Sequence, residues 1–479
     1  MRPRRSPQLL LAIGLLSLQC GGSSDDSGAA PTDDTAPARA ITECGDVIDN
    51  VRLDADLSTA DESCLIVKTN NVTVDGNGHH ITAGTFAIQW IDQSGVTAKN
   101  VLSDQTLQIY GTKAGGNLVT DSTLGLVAIY GGDDNVVQNS TLKKLKIYPI
   151  GTDPAQREVV KGNIISSALT QPEEKLVEIV TGTDGTFETD GTIHCAEAAH
   201  QITNNQIIAT VVSDLEPELL NIRCGTGSTI SGNTIQTGQR AAGILMRDGA
   251  DDNLIENNDV RIGDGNEGAL LIQAGSAGFH QPRGNTFAGN VFRVDQGRAF
   301  WLQADATRAN SFTGNLFRSD GGTVETVRLT DGIGVDTSFD HNTFHHAGQG
   351  ALVVFHDLGP GINRFTSNIF SYGGAANAVF AFDHLQSFAG YTGDHNVFFN
   401  QSGAVTFGTS AETFCEWRSG TGQDQSSIEG DPRFVNPAGD DFGVASDSAA
   451  RCSGENATDA GAFPSNDATP CPVIAPACS

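Results

Sequence analysis

FAGNVF at 287–292, FTGNLF at 312–317, FDHNTF at 339–344 and FTSNIF at 365–370 are copies of one phrase that decides the fold of this chain. The phrase is apolar-x-x-Asn-x-apolar, and Gly393 breaks it only in the last copy. Its asparagine recurs eight times, with spacings of 28, 25, 32, 25, 27, 26 and 28 residues, at Asn205, Asn233, Asn258, Asn290, Asn315, Asn342, Asn368 and Asn396. Such a period predicts a solenoid, in which each repeat buries its core against its neighbours.

The chemistry of the phrase predicts strands rather than helices. Apolar residues alternate with polar ones on both sides of the asparagine, which describes two short strands with one buried face each. No apolar spacing of i, i+3, i+4, i+7 continues over several turns, as a helical repeat would require. Asparagine tolerates the left-handed backbone of a sharp bend, and stacked amides can form a hydrogen-bonded ladder. We therefore interpret these asparagines as structural and not as ligands.

Looser copies of the phrase extend the repeat toward the N-terminus. VTAKNVL, LVTDSTL, VVQNSTL and VVKGNII place Asn100, Asp121, Asn139 and Asn163 at the anchor position, and the segment from Cys64 reads as a first coil. The 42-residue gap between Asn163 and Asn205 holds either one irregular coil, with KLVEIVTG as a strand, or a loop. We expect about 13–14 coils, and a rod on the order of 60–65 Å long at about 4.8 Å per coil.

Three passages together resemble a known superfamily. They are the entry CGDVIDNVRLDADLSTADESCLIVKTNNVTVDGNGHHITAG, the asparagine repeats, and the exit that begins FCEWRSGTGQDQSSIEGDPRF. The chain resembles the right-handed parallel β-helix proteins of the pectin-lyase-like superfamily, of the bacterial surface lipoprotein type. The resemblance implies an all-β, single-stranded right-handed parallel β-helix with a C-terminal capping segment. It does not imply one activity, because the superfamily includes lyases, hydrolases, esterases, epimerases and proteins without a known reaction.

The N-terminus resembles an export signal followed by a tether. Arg2, Arg4 and Arg5 precede the apolar run LLLAIGLLSL, which is too short for a spanning helix. Cys20 follows, as the lipidated residue of a bacterial lipoprotein would, although Gln19 departs from the usual small residue. An ordinary secretion signal is the alternative. We predict a signal peptide at 1–19, a flexible tether at 20–42, the β-helix at 43–415, a cap at 416–463 and a tail at 464–479.

The net charge of the chain limits which molecules it can bind. Lys and Arg number 28 against 57 Asp and Glu, a formal charge of −29 that repels nucleic acid and anionic membranes. We expect membrane contact only through a lipid anchor, and a monomer. The acidic turns GGDDN at Gly131 and GDGNE at Gly263 are either solvated turns or Ca²⁺ sites, so Ca²⁺ is the one cofactor that the sequence suggests.

The cysteines predict disulfides. Nine cysteines less Cys20 leave eight. Zinc is the alternative for any four of them, but no CxxC occurs. Cys195 and Cys224 lie ten and nine residues before their anchors, in the same column of adjacent coils. We predict that they form a bridge, with further pairs Cys44–Cys64, Cys415–Cys452 and Cys471–Cys478.

A further strand precedes each later anchor, in GILMR, ALLIQ, AFWLQ, TVRLT, ALVVF and AVFAF. Alternation predicts that Ile244, Leu270, Phe300, Val327, Leu352 and Val379 point inward, followed by Met246, Ile272, Leu302, Leu329, Val354 and Ala381. One outward column is then His194, Arg223, Arg247, Gln273, Gln303, Thr330, Phe355 and Phe382. The other includes Leu245, Leu271, Trp301, Arg328, Val353 and Phe380. Aromatic rings beside Arg and Gln suit a sugar-binding groove formed by Arg247, Trp301, Gln303 and Arg328. A face covered by a loop or by a partner is the alternative.

Charge collects in the turn after this strand. Asp331, His356 and Asp383 fall in one column, and Asp357 and His384 fall in the next. At about 4.8 Å per coil, these side chains would touch, and carboxylates beside imidazoles can divide acid and base roles. We therefore predict that any catalysis uses these five residues. A hydrogen-bonded turn stack and a metal site are the alternatives.

No catalytic series of the polygalacturonase, pectate-lyase or alginate-epimerase type is present. Two function classes remain. One is an exported protein at the outer membrane or cell surface, otherwise secreted, that binds and cleaves a polysaccharide or cell-surface glycan as a hydrolase or lyase. The other is a non-catalytic surface β-helix that acts as an adhesin or a structural module.

Overall fold

The chain folds as an all-β parallel β-helix, as the repeat predicts. The computed structural model describes residues 38–171, 174–187, 193–212, 217–265, 267–273, 279, 281–303, 310–330, 337–356, 363–373, 378–382, 391–408, 412–465 and 478. Within these residues, no helix combines the length and the apolar character needed to cross a bilayer.

The first sheet contains the strand that precedes each anchor. It has fifteen parallel strands among the described residues, one more than the highest predicted coil number. The strands pair in sequence order, as expected when each coil adds one strand beside the last. They are Arg39–Ile41, Val51–Leu53, Thr73–Asp75, Thr97–Lys99, Leu118–Thr120, Val136–Gln138, Val159–Lys161, Gln201–Thr203, Thr229–Ser231, Leu254–Glu256, Thr286–Ala288, Ser311–Thr313, Ser338–Asp340, Asn363–Thr366 and Tyr391–Asp394.

The second sheet contains the strand that follows each anchor, and the third sheet contains the next strand of the coil. Three long strands, Leu102–Tyr110, Thr123–Tyr130 and Thr141–Tyr148, belong to both sheets. The second sheet continues with Ile164–Leu169, Gln206–Val212, Thr234–Arg240, Asp259–Gly265, Val291–Gly297, Leu316–Ser319, Thr343–His346, Ile369–Tyr372, Val397–Asn400 and Ile428–Glu429. The third sheet also includes Gly45–Val47, Ser63–Val67, Phe86–Ile91, Lys175–Val180, Glu218–Arg223, Ala242–Arg247, Leu270–Ile272, Phe300–Gln303, Val327–Thr330, Val353–His356 and Phe380–Phe382.

The 42-residue gap is one irregular coil, because Val159–Lys161 pairs directly with Gln201–Thr203. The predicted KLVEIVTG strand is Lys175–Val180, and the coil also carries an antiparallel hairpin, Thr183–Phe187 with Ile193–Cys195. The remaining short strands pair as Leu57–Ser58 with Ile81–Thr82, Thr406–Phe407 with Glu412–Thr413, and Phe434–Asn436 with Asp441–Val444. One α-helix, Phe414–Thr421, and two 3-10 helices, Pro437–Gly439 and Glu455–Ala457, complete the described elements.

The anchor asparagines form a buried ladder. Asn205 shows the pattern, since its backbone N–H and its Nδ2 both donate to Asn233 Oδ1, at 2.9 and 3.0 Å. Its Nδ2 also donates to the carbonyl of Val160 at 2.9 Å. These bonds satisfy buried polar groups at the bend of each coil.

The predicted backbone role of the anchors is wrong, because the left-handed residue is the one before each anchor. Asn204 has φ 55° and Asn257 has φ 54°. Upstream, the same register makes Ser122 and Ser140 the ladder residues, since Val101 N–H donates to Ser122 Oγ and Ser122 N–H to Ser140 Oγ. Asn100, Asp121 and Asn139, predicted as anchors, occupy the left-handed position, whereas Asn163 lies in the ladder.

A second buried ladder lies five residues before the first. In this ladder, a backbone N–H donates to the side chain at the equivalent position of the next coil. The residues at these positions are Asn117, Asn135, Glu158, His200, Ser228, Asn253, Asn285 and Asn310. Glu158 and His200 replace asparagine in two neighbouring coils. Burial raises the pKa of Glu158 well above its usual value and lowers the pKa of His200 to about 3. The His200 imidazole is therefore neutral near pH 7, and burial favours the protonated form of Glu158.

The core of the later coils consists of aromatic stacks. Phe287, Phe312, Phe339 and Phe365 stack in sequence, with ring centroids 4.5, 4.8 and 4.5 Å apart. A parallel stack joins Phe292, Phe317, Phe344, Phe370 and Phe398. Because each ring packs on the equivalent ring of the next coil, the repeat itself aligns the core.

The C-terminal segment closes the last coil. Thr413 caps the helix Phe414–Thr421 in a capping box with Glu416, and the helix buries Phe414 and Trp417 against the end of the core. The Asp424 carboxylate accepts from Asn396 Nδ2 and thereby extends the first ladder. The chain then returns along the second sheet, where Asp440 forms ion pairs with Arg261, Arg293 and Arg318.

The disulfides agree with the prediction at two places and not at a third. Cys44–Cys64 and Cys195–Cys224 are present, with Cα–Cα distances of 4.7 and 5.1 Å. The predicted pairs Cys415–Cys452 and Cys471–Cys478 are wrong, because Cys415 is bonded to Cys478. Cys452 is also disulfide-bonded. Spacing along the chain predicted the wrong pairing of these cysteines, because the segment after the helix does not follow the repeat.

Candidate functional site

The outward side of the third sheet is the candidate site. Strand pairing places its outward residues in two columns. The tryptophan column consists of Gln89, Gln108, Ala128, Lys146, Glu178, Asn221, Leu245, Leu271, Trp301, Arg328, Val354 and Ala381. The tyrosine column consists of Ile91, Tyr110, Tyr130 and Tyr148, then Val180, Arg223 and Arg247, then Gln303, Thr330 and His356.

The four predicted groove residues, Arg247, Trp301, Gln303 and Arg328, all lie on this face and are partly exposed. Trp301 is held in place, because its Nε1 donates to Thr330 Oγ1 at 3.1 Å. The guanidinium carbons of Arg298 and Arg328 lie 4.8 and 5.7 Å from its ring centroid. The ring therefore stacks on cations, and it offers less free surface to a sugar than the sequence suggests.

The predicted columns are wrong by one residue in the last two coils. Val327 pairs with Val353, and Val353 pairs with Phe380, so Val353, Phe355 and Phe380 are buried whereas Val354 and Ala381 are partly exposed. Leu352 and Val379 are buried as predicted, and Phe382 packs partly buried against Phe355. In ALVVF and AVFAF, both sets of alternate residues are apolar, so alternation does not show which set points inward.

The same shift changes the predicted catalytic cluster. His356 is partly exposed and pairs with Thr330, whereas the prediction placed it in the column of Asp331. Asp331, Asp357, Asp383 and His384 lie outside the described residues. The described part of the face therefore contains one member of the predicted cluster.

A charged network that the prediction did not include lies in the earlier coils. Lys175 Nζ is 3.6 Å from Glu218 Oε2 and 3.9 Å from Glu178 Oε1, and all three side chains are nearly buried. Asn221 Nδ2 donates to Glu218. The Oδ1 of the same buried amide has no hydrogen-bond partner among the described residues. The paired carboxylates are compensated, but the amide retains an unused acceptor.

Glu267 lies in the turn between the strands Asp259–Gly265 and Leu270–Ile272 and is half-buried. Burial raises its pKa, the charge of Glu218 raises it further, and Arg240 and Arg298 oppose both effects. In the described part of the chain, no hydrogen bond or ion pair involves its carboxylate. By contrast, Glu325 accepts from Arg298 Nε at 2.7 Å and lies 3.4 Å from Arg328. A half-buried carboxyl with a raised pKa is a candidate proton donor.

The tyrosine column is the aromatic part of the face. Tyr110, Tyr130 and Tyr148 lie in successive coils, with ring centroids 5.9 and 5.8 Å apart. Tyr110 is 40% exposed, and the neighbouring Ile91 is 46% exposed. Burial, followed by a hydrogen bond with Glu178, raises the pKa of Tyr148. The sequence carries a signal for this column in the repeated endings QIYG, AIYG and KIYP.

The acidic turn GGDDN holds an arginine in the structure. Asp133 and Asp134 of the GGDDN turn form ion pairs with Arg157, at 3.1 and 2.8 Å. No group of three or more His, Cys, Asp and Glu side chains within the described ranges has an arrangement that could hold a metal ion.

Comparisons with known proteins add little. No protein-family model and no curated protein sequence matches the chain. Among solved structures, the chain is similar to the catalytic domain of a GH87 alpha-1,3-glucanase variant in complex with nigerose, at 10% sequence identity and a TM-score of 0.23. The match covers 82% of this chain but only 62% of that domain. We draw no functional conclusion from a similarity at this level.

Proposed function

We propose that this protein binds a polysaccharide along the outward face of the third sheet. The observation that carries the proposal is the tyrosine column, in which three partly exposed rings occupy the same position of successive coils and are followed by Arg223, Arg247 and Gln303. Over these three coils, a polymer of repeating sugars that lies along the axis would meet an equivalent ring at each coil. Tyrosine combines an apolar body with a hydroxyl, and amides and guanidinium groups bind sugar hydroxyls.

Charge balance favours a neutral polysaccharide. Three arginines on or beside this face have carboxylate partners, since Arg223 binds Asp248 at 2.7 Å and Glu325 binds Arg298 and Arg328. With a formal charge of −29 over the whole chain, a polyanionic glycan would meet repulsion without a compensating basic patch.

Binding to a panel of soluble neutral polysaccharides, measured by affinity electrophoresis and calorimetry, tests the proposal. Replacing Tyr130 or Tyr148 by alanine should weaken binding about 2–12-fold each, for the loss of about 0.5–1.5 kcal/mol of aromatic contact. Ile164→Ala, which removes an exposed apolar side chain of the second sheet, is the matched control. Equal affinities for the wild type and both tyrosine variants would contradict the proposal, as would a preference for pectate or alginate.

The resemblance to pectin-lyase-like surface proteins motivates the cellular setting that we propose. Cys20 anchors the protein to a bacterial membrane, and the tether holds the β-helix at the outer membrane or cell surface. Several acyl chains would make the attachment stable, where one would be marginal. Cys20→Ser should move the protein from the membrane fraction to the soluble fraction, and an unchanged membrane fraction would refute the anchor. The second candidate function, a non-catalytic adhesin, uses the same face and predicts binding without cleavage.

A further inference from the structure

We propose that a cleft beside the tyrosine column binds one neutral sugar unit that branches from the main chain of the polysaccharide. The inference rests on the proposed function and deepens it, because it names the ligand as a neutral, branched polysaccharide. This turn cleft lies in the turns that follow the column and has a volume of about 300 Å³. Its lining residues are Thr112, Gly132, Asp133, Asp153, Pro154 and Gln156.

The chain connects the turn cleft directly to the tyrosine column. Thr112 comes two residues after Tyr110, and Gly132 comes two residues after Tyr130. The column runs along the axis of the β-helix, because its tyrosines pair from one strand to the next. The cleft lies to one side of that line, beyond the ends of the strands. A sugar in the cleft therefore leaves the line of the main chain, as a side branch does.

The size of the turn cleft suits a single sugar ring. Ligand pockets usually have volumes of about 300–1,000 Å³, and this cleft lies at the lower end of that range. One wall of the cleft is bare backbone at Gly132. This position has φ 76°, and a Cβ there would lie 2.0 Å from the carbonyl oxygen of Ala114. The site therefore has room for one unit of a polysaccharide but not for its main chain.

Backbone hydrogen bonds hold the walls of the turn cleft together. Gln156 N–H donates to the carbonyl of Gly132 at 3.1 Å, and Asp134 N–H donates to the carbonyl of Gln156 at 3.0 Å. Asp153 and Ile150 exchange two backbone hydrogen bonds, each of 2.9 Å. The cleft is therefore preformed, which lowers the entropy cost of binding a ligand.

The polar groups of the turn cleft match the hydroxyls of a sugar. Asp153 is exposed, and no hydrogen bond or ion pair involves its carboxylate within the described part of the chain. Carboxylate oxygens accept strong hydrogen bonds from hydroxyls. Gln156 Oε1 accepts from Arg157 at 3.3 Å, which leaves the Nε2 of the same amide to donate to a sugar oxygen. The Thr112 hydroxyl can donate or accept.

The charge of the turn cleft favours a neutral sugar over a uronic acid. Asp133 forms an ion pair with Arg157 at 3.1 Å, whereas Asp153 forms none with any residue that the structure describes. The carboxylate of a uronic acid would meet a like charge at Asp153, and like charges at short range repel. A neutral sugar avoids this repulsion and still offers hydroxyl donors to both carboxylates.

Calorimetry with the full chain tests the inference on oligosaccharide fragments of galactomannan, arabinoxylan and xyloglucan. Each branched fragment is compared with the unbranched fragment of the same main-chain length, so the ratio of the two affinities reports the branch alone. We expect the wild type to bind a branched fragment at least about fivefold more tightly. Asp153→Ala and Gln156→Ala should each lower this ratio below about twofold. Asp295→Ala, which removes an exposed carboxylate of the second sheet, is the matched control and should keep the ratio.

Three outcomes separate the two proposals. Loss of the ratio in both cleft variants, while Tyr130→Ala weakens binding of branched and unbranched fragments alike, supports the turn cleft. A wild type that binds both kinds of fragment equally, or only the unbranched kind, overturns the inference and leaves the proposed function standing, as does a ratio that either cleft variant retains. Absence of binding to every glycan overturns the proposed function and the inference with it. Thermal unfolding of each variant checks that the fold is intact.

Discussion

Removal of one ladder asparagine should destabilise the β-helix by an amount that the hydrogen bonds define. Asn315 lies in the middle of the first ladder. Its Oδ1 accepts from the backbone N–H and the Nδ2 of Asn290, at 3.0 and 2.9 Å. Its Nδ2 donates to the carbonyl of Phe287 and to Asn342 Oδ1, at 2.9 and 3.0 Å.

Asn315→Ala removes these four bonds and a longer, partly exposed one from Nδ2 to the carbonyl of Thr313 at 3.3 Å, and their costs differ. The buried backbone N–H of Asn290 loses its acceptor, which costs about 1–3 kcal/mol. The Nδ2 of Asn290 keeps the carbonyl of Ile255, and Asn342 Oδ1 keeps the backbone N–H of Asn315. Each remaining lost bond is worth about 0.5–1.5 kcal/mol net. We expect a total loss of about 3–7 kcal/mol in the free energy of unfolding.

The chain provides its own control for this substitution. Ser122 and Ser140 occupy the same ladder position in earlier coils, and Ser122 Oγ accepts the backbone N–H of Val101 at 3.1 Å. Asn315→Ser should therefore keep the backbone acceptor and cost about 1–3 kcal/mol less than the alanine change. Urea unfolding followed by circular dichroism, with unchanged slopes, measures both values. A loss below about 1 kcal/mol for alanine, or equal losses for alanine and serine, would refute this account of the ladder.

Two predictions concern Glu158 and His200, the ionisable residues of the second ladder. Because the pKa of Glu158 is raised in the folded protein, only the unfolded chain releases this proton above about pH 4.5. The free energy of unfolding therefore falls with rising pH by about 1.4 kcal/mol per pH unit, up to the folded pKa. Glu158→Gln should remove that slope in urea titrations, and an unchanged slope would mean that the buried carboxyl is ionised. Because the folded pKa of His200 is lowered to about 3, the unfolded chain alone takes up the proton below about pH 6.5, and stability falls as the pH drops toward 3. His200→Asn should weaken this loss of stability in acid. The part due to His345 and His346 should remain, because burial lowers the pKa of each to about 4. Melting temperatures of the variant that coincide with those of the wild type from pH 7 to 5 would contradict this prediction.

Local pattern was a reliable guide where every coil repeats the same environment. The spacing of Asn205 to Asn396 predicts the solenoid, the ladder and the column that joins Cys195 to Cys224, because a repeat must place equivalent residues one above another. The second ladder could have been predicted by the same reasoning, since Asn253, Asn285 and Asn310 each precede an anchor by five residues.

The sequence by itself therefore determined the fold class and the buried asparagine ladder. Only the tertiary structure decided which residues of ALVVF point inward, because hydrogen bonds to the previous coil, and not alternation, fix their orientation. It also decided the pairing of Cys415 with Cys478, which depends on how a non-repeating segment folds back.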